Sequence, residues 1–292
     1  MVGQGYVRKG VGGFYTVRSK NEDIICKARG RFRLDGISPL CGDRVVFETQ
    51  NEGHALLCEI LPRKNLLARP PVANIDQLVI VLSASAPRPD LMLCDKLLIA
   101  AALHEIEPLI IINKCDDGPN KNATEAAKQY EKNYRTIFVS AQTGYGMQQL
   151  YSALDGVISC FAGQSAVGKS SLLNSLFPEL ELEVGGLAKK TERGRHTTRH
   201  AELWPYLSGA VLDTAGFSLL ELPLISQEEL NLAYREFGSA PERCRFAACA
   251  HISEPDCAVK ELIGENGLSP ERYKRYVELS RQFEEMRRHC YD

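Results

Sequence analysis

The octapeptide Gly163-Gln-Ser-Ala-Val-Gly168-Lys169-Ser170 limits the possible folds of this chain more than any other feature. It follows an apolar run, GVISCFAG (156–163), and leads into KSSLLNSLF, which has helical spacing. An apolar strand, a loop of the form G-x-x-x-x-G-K-[ST] and a helix together make a phosphate-binding P-loop. The glycines let backbone N–H groups wrap an anion, and the helix N-terminus favours negative charge. In this reading Lys169 reaches the β- and γ-phosphates of a nucleotide and Ser170 ligates Mg2+, with Ser171 in the same phosphate-binding turn. A P-loop needs a parallel sheet, and the flanking sequence supplies one. QLVIVLS (77–83), PLIIIN (108–113) and TIFVS (136–140) read as buried strands. LMLCDKLLIAAALHE (91–105), NATEAAKQYEKN (122–133, with Asn122 and Glu125 as a capping pair) and GMQQLYSAL (146–154) read as helices between them. AVLDTAG (210–216) adds a further strand ending in a loop.

Three shorter motifs sit at strand ends, and a threonine pair lies between the P-loop and the last of them. Asn113-Lys114-Cys115-Asp116 follows the run LIIIN. A carboxylate there accepts from guanine N1–H and N2–H2 together, whereas adenine offers no such donor pair and would leave Asp116 unpaired. Asn113 would support the loop and Lys114 would lie along the base. Ser140-Ala141, after TIFVS, matches a loop that touches the guanine O6 edge. Asp213-Thr214-Ala215-Gly216 has the D-x-x-G form, in which Asp213 holds Mg2+ through water and the Gly216 N–H meets the γ-phosphate. Thr198, or Thr197 beside it, stands where a GTPase supplies its switch-I Mg2+ ligand.

These motifs resemble the full set of a translation-factor-type GTPase, but in an unusual order. Asn113–Asp116 and Ser140-Ala141 precede the P-loop, where an ordinary GTPase has them after it. A circular permutation explains the order, because ligand loops in a parallel sheet all lie at the carboxyl ends of the strands and survive reopening of the chain elsewhere. The segment from Asp213 then leads straight into the C-terminal region. Nucleotide state is therefore expected to set the placement of that region.

The flanks differ in kind. Residues 1–68 carry short β-forming runs separated by Gly, Asn and Asp, which fit a small barrel of OB (oligonucleotide-binding) type, an SH3-like barrel or a plain sandwich. ARPPVANI then reads as a linker. Residues 69–225 form the nucleotide domain and residues 226–292 a helical tail, whose last helix starts at Ser269 as N-cap with Pro270 at N1. That tail holds Cys244-x4-Cys249-x-His251-x5-Cys257. Three thiolates and one imidazole in this span can close a tetrahedral, structural Zn2+ site with no position left for water. Cys26, Cys41, Cys58, Cys94, Cys115 and Cys160 sit singly in apolar runs, as buried thiols of a reducing cytosol do, and Cys290 is read as free.

Composition narrows the class. With 44% hydrophobic and 25% charged residues the chain is globular rather than disordered. No apolar run is long enough to span a bilayer, and the first residues lack the apolar core of a secretory signal. The formal net charge of −2 gives no global basic field. Residues 1–68 are the exception, with 11 Lys and Arg against 7 Asp and Glu. There Arg29, Arg31, Arg33 and Arg44, with Phe14, Tyr15 and Phe32, could make a basic-aromatic face, although the core is the expected home of Phe14 and Phe32. Lys189, Lys190, Arg193, Arg195 and Arg199 make the segment around Thr198 cationic, which suits salt-sensitive contacts with RNA phosphates.

A leading barrel, a permuted GTPase and a Cys3His tail are similar to the family of ribosome small-subunit-dependent GTPases, the bacterial small-subunit assembly factors. The resemblance implies an OB domain, a GTPase domain and a zinc domain. Together they dock on the small ribosomal subunit and its rRNA near the decoding region, late in maturation. It implies GTP and GDP as ligands, hydrolysis that is slow alone and stimulated by the subunit, and release timed by hydrolysis. A monomer in the cytoplasm is expected. Phe217 follows Asp213–Gly216 where many GTPases carry a water-orienting Gln. In this family a switch-I His is thought to substitute, and His196 is the residue here, acting with Lys169 and Thr198. Two rivals use the same residues: an RNA clamp in which GTP or GDP is a static switch, and an ATP-using P-loop enzyme, against which Asp116 argues.

Overall fold

The computed structural model describes residues 2–30, 32, 36–49, 55–68, 71–180, 201–212, 222–264 and 268–289. They fall into two compact units. The first takes residues 1–78, 151–162 and 183–218, and the second takes 79–150, 163–182 and 219–292.

The first unit opens with β1 (Val2–Val11), β2 (Phe14–Ser19), β3 (Glu22–Ala28), β4 (Arg44–Thr49) and β5 (Ala55–Ile60), closed into a barrel of order β1-β2-β3-β5-β4. Its pairs are antiparallel except β3 with β5, which run parallel. Five strands closed this way make an OB-like barrel, which decides between the three architectures open from sequence. Alternating residues Val7, Val17, Cys26, Val45, Phe47, Ala55 and Leu57 fill the interior. Phe32 packs against them, but Phe14 does not: it is 46% exposed, at the β1–β2 hairpin tip where β2 begins. Arg29 and Arg44 are exposed, and Arg29 pairs with Glu48 at 3.0 Å. Arg31 and Arg33 lie outside the described residues.

The segment read as a linker is structured. Strands β6 (Leu66–Ala68) and β7 (Pro71–Ala73) pair antiparallel. Val72, Ala73 and Ile75 are buried. Asn65 holds both backbone groups of Ile75, and Asn74 donates to Gly42 O at 3.0 Å. Pro71 is tolerated because it opens a two-stranded pair, where a missing N–H costs little.

Within the second unit the strand order is β10-β9-β8, with β8 (Gln77–Ser83), β9 (Glu107–Asn113) and β10 (Thr136–Phe138), and within the first it is β11-β13-β12, with β11 (Ile158–Ala162), β12 (Leu203–Tyr206) and β13 (Gly209–Leu212). β9 runs parallel to β10 and β11 parallel to β13, while β12 is an antiparallel edge. The near-continuous burial of β8 and β9 is what an internal parallel strand requires. The helices are α1 (Leu91–Leu103), α2 (Lys121–Lys128), α3 (Met147–Leu154), α4 (Lys169–Leu176), α5 (Gln227–Ala233), α6 (Ala258–Glu261) and α7 (Pro270–His289). The cap of α2 is Asn120, which accepts from Ala123 N at 2.8 Å, rather than Asn122. The helix also ends earlier than expected, because the following turns bury Tyr130. Ser269 caps α7 as expected, accepting from Arg272 N at 3.1 Å.

In the second unit α7 is bolted to α1 by buried charge. Arg272 is 1% exposed and pairs with Asp95 of α1 and with Glu236. Its guanidinium lies over Tyr130, Tyr134 and Tyr234 at 4.8, 5.5 and 4.8 Å from the ring centroids. Arg275 adds a second bond to Asp95 at 2.6 Å, and Tyr130 donates to the same carboxylate at 2.7 Å. Removing one partner of such a pair strands the others away from water. Arg272→Ala is therefore expected to destabilise the protein by about 3–5 kcal/mol. Urea unfolding of the full chain checks this, and a loss below about 1 kcal/mol would contradict the network's structural role.

Candidate nucleotide site and metal centre

The P-loop, the Asn113–Asp116 loop and the Ser140-Ala141 loop all belong to the second unit, and Asn113 ties them together. Its side chain is buried. Nδ2 donates to Val167 O at 2.9 Å, and Oδ1 accepts from Ala141 N at 3.2 Å. One amide thus holds three loops in register. Gly168 is the N-cap of α4 with φ 96°, and a Cβ there would lie 2.3 Å from Asn113 Nδ2. Gly163, at φ 138°, would set a Cβ 2.3 Å from Val81 O. Neither position admits a side chain, so the glycines of the motif are needed for the loop to close on its neighbours.

Lys114 spans to the P-loop, donating to Ala166 O at 2.7 Å and to Ala86 O. Asp116 is exposed, and Ser140 Oγ donates to its Oδ1 at 2.6 Å. The buried Ser140 is itself fixed, accepting from Thr143 N at 3.0 Å. A carboxylate steadied on one oxygen is prepared to accept paired donors from a flat base. Lys169 lies half-buried at the start of α4, donating to Gly163 O and Gln164 O at 2.7 Å each. Burial pulls its ammonium below the ordinary lysine value, so a neighbouring anion would restore what desolvation takes away. Ser170 and Ser171 follow in the first turn of α4, both half-buried. His196, Thr197, Thr198, Asp213 and Gly216 lie outside the described residues, as do Lys189, Lys190, Arg193, Arg195, Arg199 and Phe217.

The Cys3His group also assembles. The ligand atoms of Cys244, Cys249, His251 and Cys257 lie within 4.8 Å of one another. Cys257 Sγ is 3.9 Å from Cys244 Sγ and 3.8 Å from Cys249 Sγ. His251 Nδ1 is 3.4 Å from Cys257 Sγ and 3.6 Å from Cys244 Sγ. A tetrahedron with Zn–S bonds of about 2.3 Å and a Zn–N bond of about 2.0 Å has S···S edges near 3.8 Å and S···N edges near 3.5 Å. Four of the six ligand–ligand spacings match these edges and all six lie within 4.8 Å, which is compatible with zinc, and the S···S spacings are far too long for disulfides, whose sulfurs lie about 2 Å apart. Burial lowers the basicity of His251, which suits a neutral ligand.

The loop's supports are invisible to motif reading. Glu254 accepts N–H bonds from Ala250 (2.6 Å), Ile252 (2.9 Å) and Ser253 (3.0 Å). Burial works against its ionised form, but these bonds hold the carboxyl below its usual range. Tyr273 and Tyr276 of α7 donate to His251 O and Ala250 O at 2.7 Å each.

A sequence model of the RsgA GTPase family matches residues 60–223, and one of the RsgA N-terminal domain matches residues 4–57. A protein of Caldanaerobacter subterraneus subsp. tengcongensis, named small ribosomal subunit biogenesis GTPase RsgA, is 44% identical over 290 residues. The match covers 99% of this chain and 98% of that protein. The chain belongs to the RsgA GTPase family. A relative of the same name from Geobacillus sp. (strain WCH70) is 42% identical, covering 97% of this chain and 98% of its own. Two solved structures resemble the whole RsgA-family chain. YjeQ from Thermotoga maritima has a TM-score of 0.86 at 35% identity, covering 97% of this chain and 99% of its own. YloQ, described as a circularly permuted GTPase, has a TM-score of 0.83 at 34% identity, covering 98% and 96%. The permutation inferred from motif order agrees with the description of YloQ.

Proposed function

We propose that this RsgA-family chain hydrolyses GTP to GDP and phosphate, binds the small ribosomal subunit through its rRNA, and uses hydrolysis to time its release late in subunit maturation. The observation that carries the reading is the junction at Asn113, which brings a guanine-type carboxylate, Asp116, into one site with a P-loop. Full-length relatives named as small-subunit biogenesis GTPases support the partner. The static-clamp alternative is not favoured, since the chain shares the GTPase family along nearly its whole length.

In this mechanism Asp116 and Lys114 select and seat guanine, with Ser140 and Ala141 at its O6 edge. The P-loop from Gly163 to Ser171 cradles the phosphates, and Lys169 moves from its loop carbonyls to the β- and γ-oxygens. Bound Mg2+ would be held by Ser170, Thr198 and Asp213 and would offset charge developing on the phosphates. Gly216 meets the γ-phosphate, with Thr197 beside the site. His196 orients the attacking water. Zinc on Cys244, Cys249, His251 and Cys257 would be structural, since all four positions are protein atoms. In this mechanism the chain has three parts, 1–68, 69–225 and 226–292, and works as a monomer in the cytoplasm. The segment from Asp213 links the nucleotide site to the C-terminal part.

Nucleotide-dependent co-sedimentation tests the partner. The protein should pellet with small subunits in the presence of a non-hydrolysable GTP analogue and less with GDP. Equal pelleting in both states would sink the release step. His196→Ala should lower subunit-stimulated kcat by about 100-fold, within the range of a lost general acid–base contribution, with GTP affinity nearly unchanged. An unaltered stimulated kcat would remove His196 from the chemistry.

A further inference from the structure

Within the first unit, one arginine joins the barrel to a hairpin that the proposed mechanism leaves unexplained. Arg8 projects from β1, and its guanidinium is shared among three partners. Nε donates to Leu203 O at 3.0 Å, Nη2 to Glu202 at 2.9 Å, and Nη1 to Asp23 of β3. Its plane lies over the ring of Trp204, 5.1 Å from the centroid. Lys9 reaches the same Glu202 at 3.2 Å. The backbone of Arg8 is held as well, its carbonyl accepting from the buried thiol of Cys41 at 2.9 Å. Arg8 is therefore anchored to the barrel at both ends while gripping residues 202–204.

Those residues occupy a particular place in the chain. Leu203 opens β12, and its cross-strand partner in β13 is Leu212. Thr198 is five residues before Leu203, and Asp213 directly follows Leu212. The exit of one nucleotide-sensing segment and the entry of the other thus converge on a single cross-strand pair, Leu203–Leu212. That pair is the open end of a two-stranded hairpin, and Arg8 fastens it to the barrel. β12 is a sheet edge paired only with β13 in the sheet order, so it can shift without dismantling its neighbours. A guanidinium suits this position because its rigid fork can hold a carbonyl, a carboxylate and an aromatic face at once, which an ammonium cannot.

We propose that Arg8 is a positioning residue that transmits engagement of the barrel by small-subunit RNA to the segments bearing Thr198 and Asp213, through the β12–β13 hairpin. The inference rests on the functional reading above, and its test separates the two. The full-length protein is assayed for phosphate release from GTP with and without purified small ribosomal subunits, as wild type, Arg8→Ala, Arg8→Lys and Glu202→Gln. Basal kcat and the KM for GTP should stay within about twofold in every variant. Subunit-stimulated kcat should fall about tenfold in Arg8→Ala and less in Glu202→Gln, with Arg8→Lys recovering only part of the loss. Affinity for the subunit with a non-hydrolysable analogue should change less than about threefold, which separates transmission from docking. A second readout needs no ribosome. Trp204 is the chain's one tryptophan, so its emission reports on this junction directly. The difference in emission between GDP and analogue complexes should be present in wild type and lost in Arg8→Ala. Full stimulation in Arg8→Ala overturns the inference, as does a wild-type emission indifferent to nucleotide. If wild type shows no stimulation, the functional reading fails, and the Trp204 difference alone then supports or overturns the role of Arg8. Should Arg8→Ala unfold, Glu202→Gln decides by the same criteria.

Discussion

Asp116→Asn is expected to weaken GTP binding by about two orders of magnitude and to create affinity for xanthosine triphosphate. The carboxylate accepts from two donors on the guanine edge, and each charge-assisted bond contributes roughly 1.5–3 kcal/mol. An amide presents one acceptor and one donor, so one of the two bonds is lost and a donor–donor contact replaces it. A net loss of about 3 kcal/mol corresponds to a factor of roughly 100 in affinity. The substitution leaves the surrounding loop intact, because Ser140 Oγ donates to Oδ1 and an asparagine Oδ1 still accepts it. Xanthine carries an oxygen where guanine carries its amino group, which the new amide N–H can meet. Equilibrium binding with fluorescent guanosine and xanthosine nucleotides checks the exchange. Unchanged GTP affinity, or no gain for the xanthosine nucleotide, would mean that Asp116 does not read the base.

Cys257→Ala is expected to release one zinc ion per chain and to destabilise the protein by roughly 4 kcal/mol or more, in the range reserved for loss of a metal or a comparable staple. Cys257 is the hub of the cluster, adjacent to both other sulfurs and to His251 Nδ1. Its neighbours are packed into the core around Phe237, Tyr276 and Leu279. Metal binding there is folding free energy, because the ligands are brought together only by the folded loop. Elemental analysis of the purified wild type should give one zinc, and the variant none. Urea unfolding should show the loss, and a strong chelator should reproduce it in wild type. A zinc-free wild type of full stability would contradict the assignment.

Local signals explain what could be read from sequence. Asn113, Asp116, Ser140 and the P-loop glycines lie at the ends of apolar runs, where a change from strand spacing to Gly, Asn and Asp marks a ligand loop. The three cysteines and the histidine of the cluster fall within one short stretch, so their meeting required no knowledge of the fold. The permutation followed from motif order alone. What escaped depends on long-range contact. Arg8 meets Leu203 across 195 positions and Asp95 meets Arg272 across 177, and neither pair carries a periodicity or motif. The β6–β7 pair was hidden by a Pro-rich composition that usually marks a connection. β12 is a short edge strand whose register comes from its partner rather than from its own residues. Phe14 is expected in the core, but at a hairpin tip it is 46% exposed, because such a tip has only one side to bury. Glu254 organises the loop of the Cys3His cluster through backbone N–H groups, which leave no trace in residue type.

We propose that the small ribosomal subunit completes the site of this RsgA-family GTPase. It is tested most directly by phosphate release from GTP under multiple-turnover conditions, with no ribosomal particle, with small subunits and with large subunits. Release should be slow alone, increase greatly with small subunits and stay slow with large ones. Equal rates in all three conditions, or stimulation by large subunits, would contradict it.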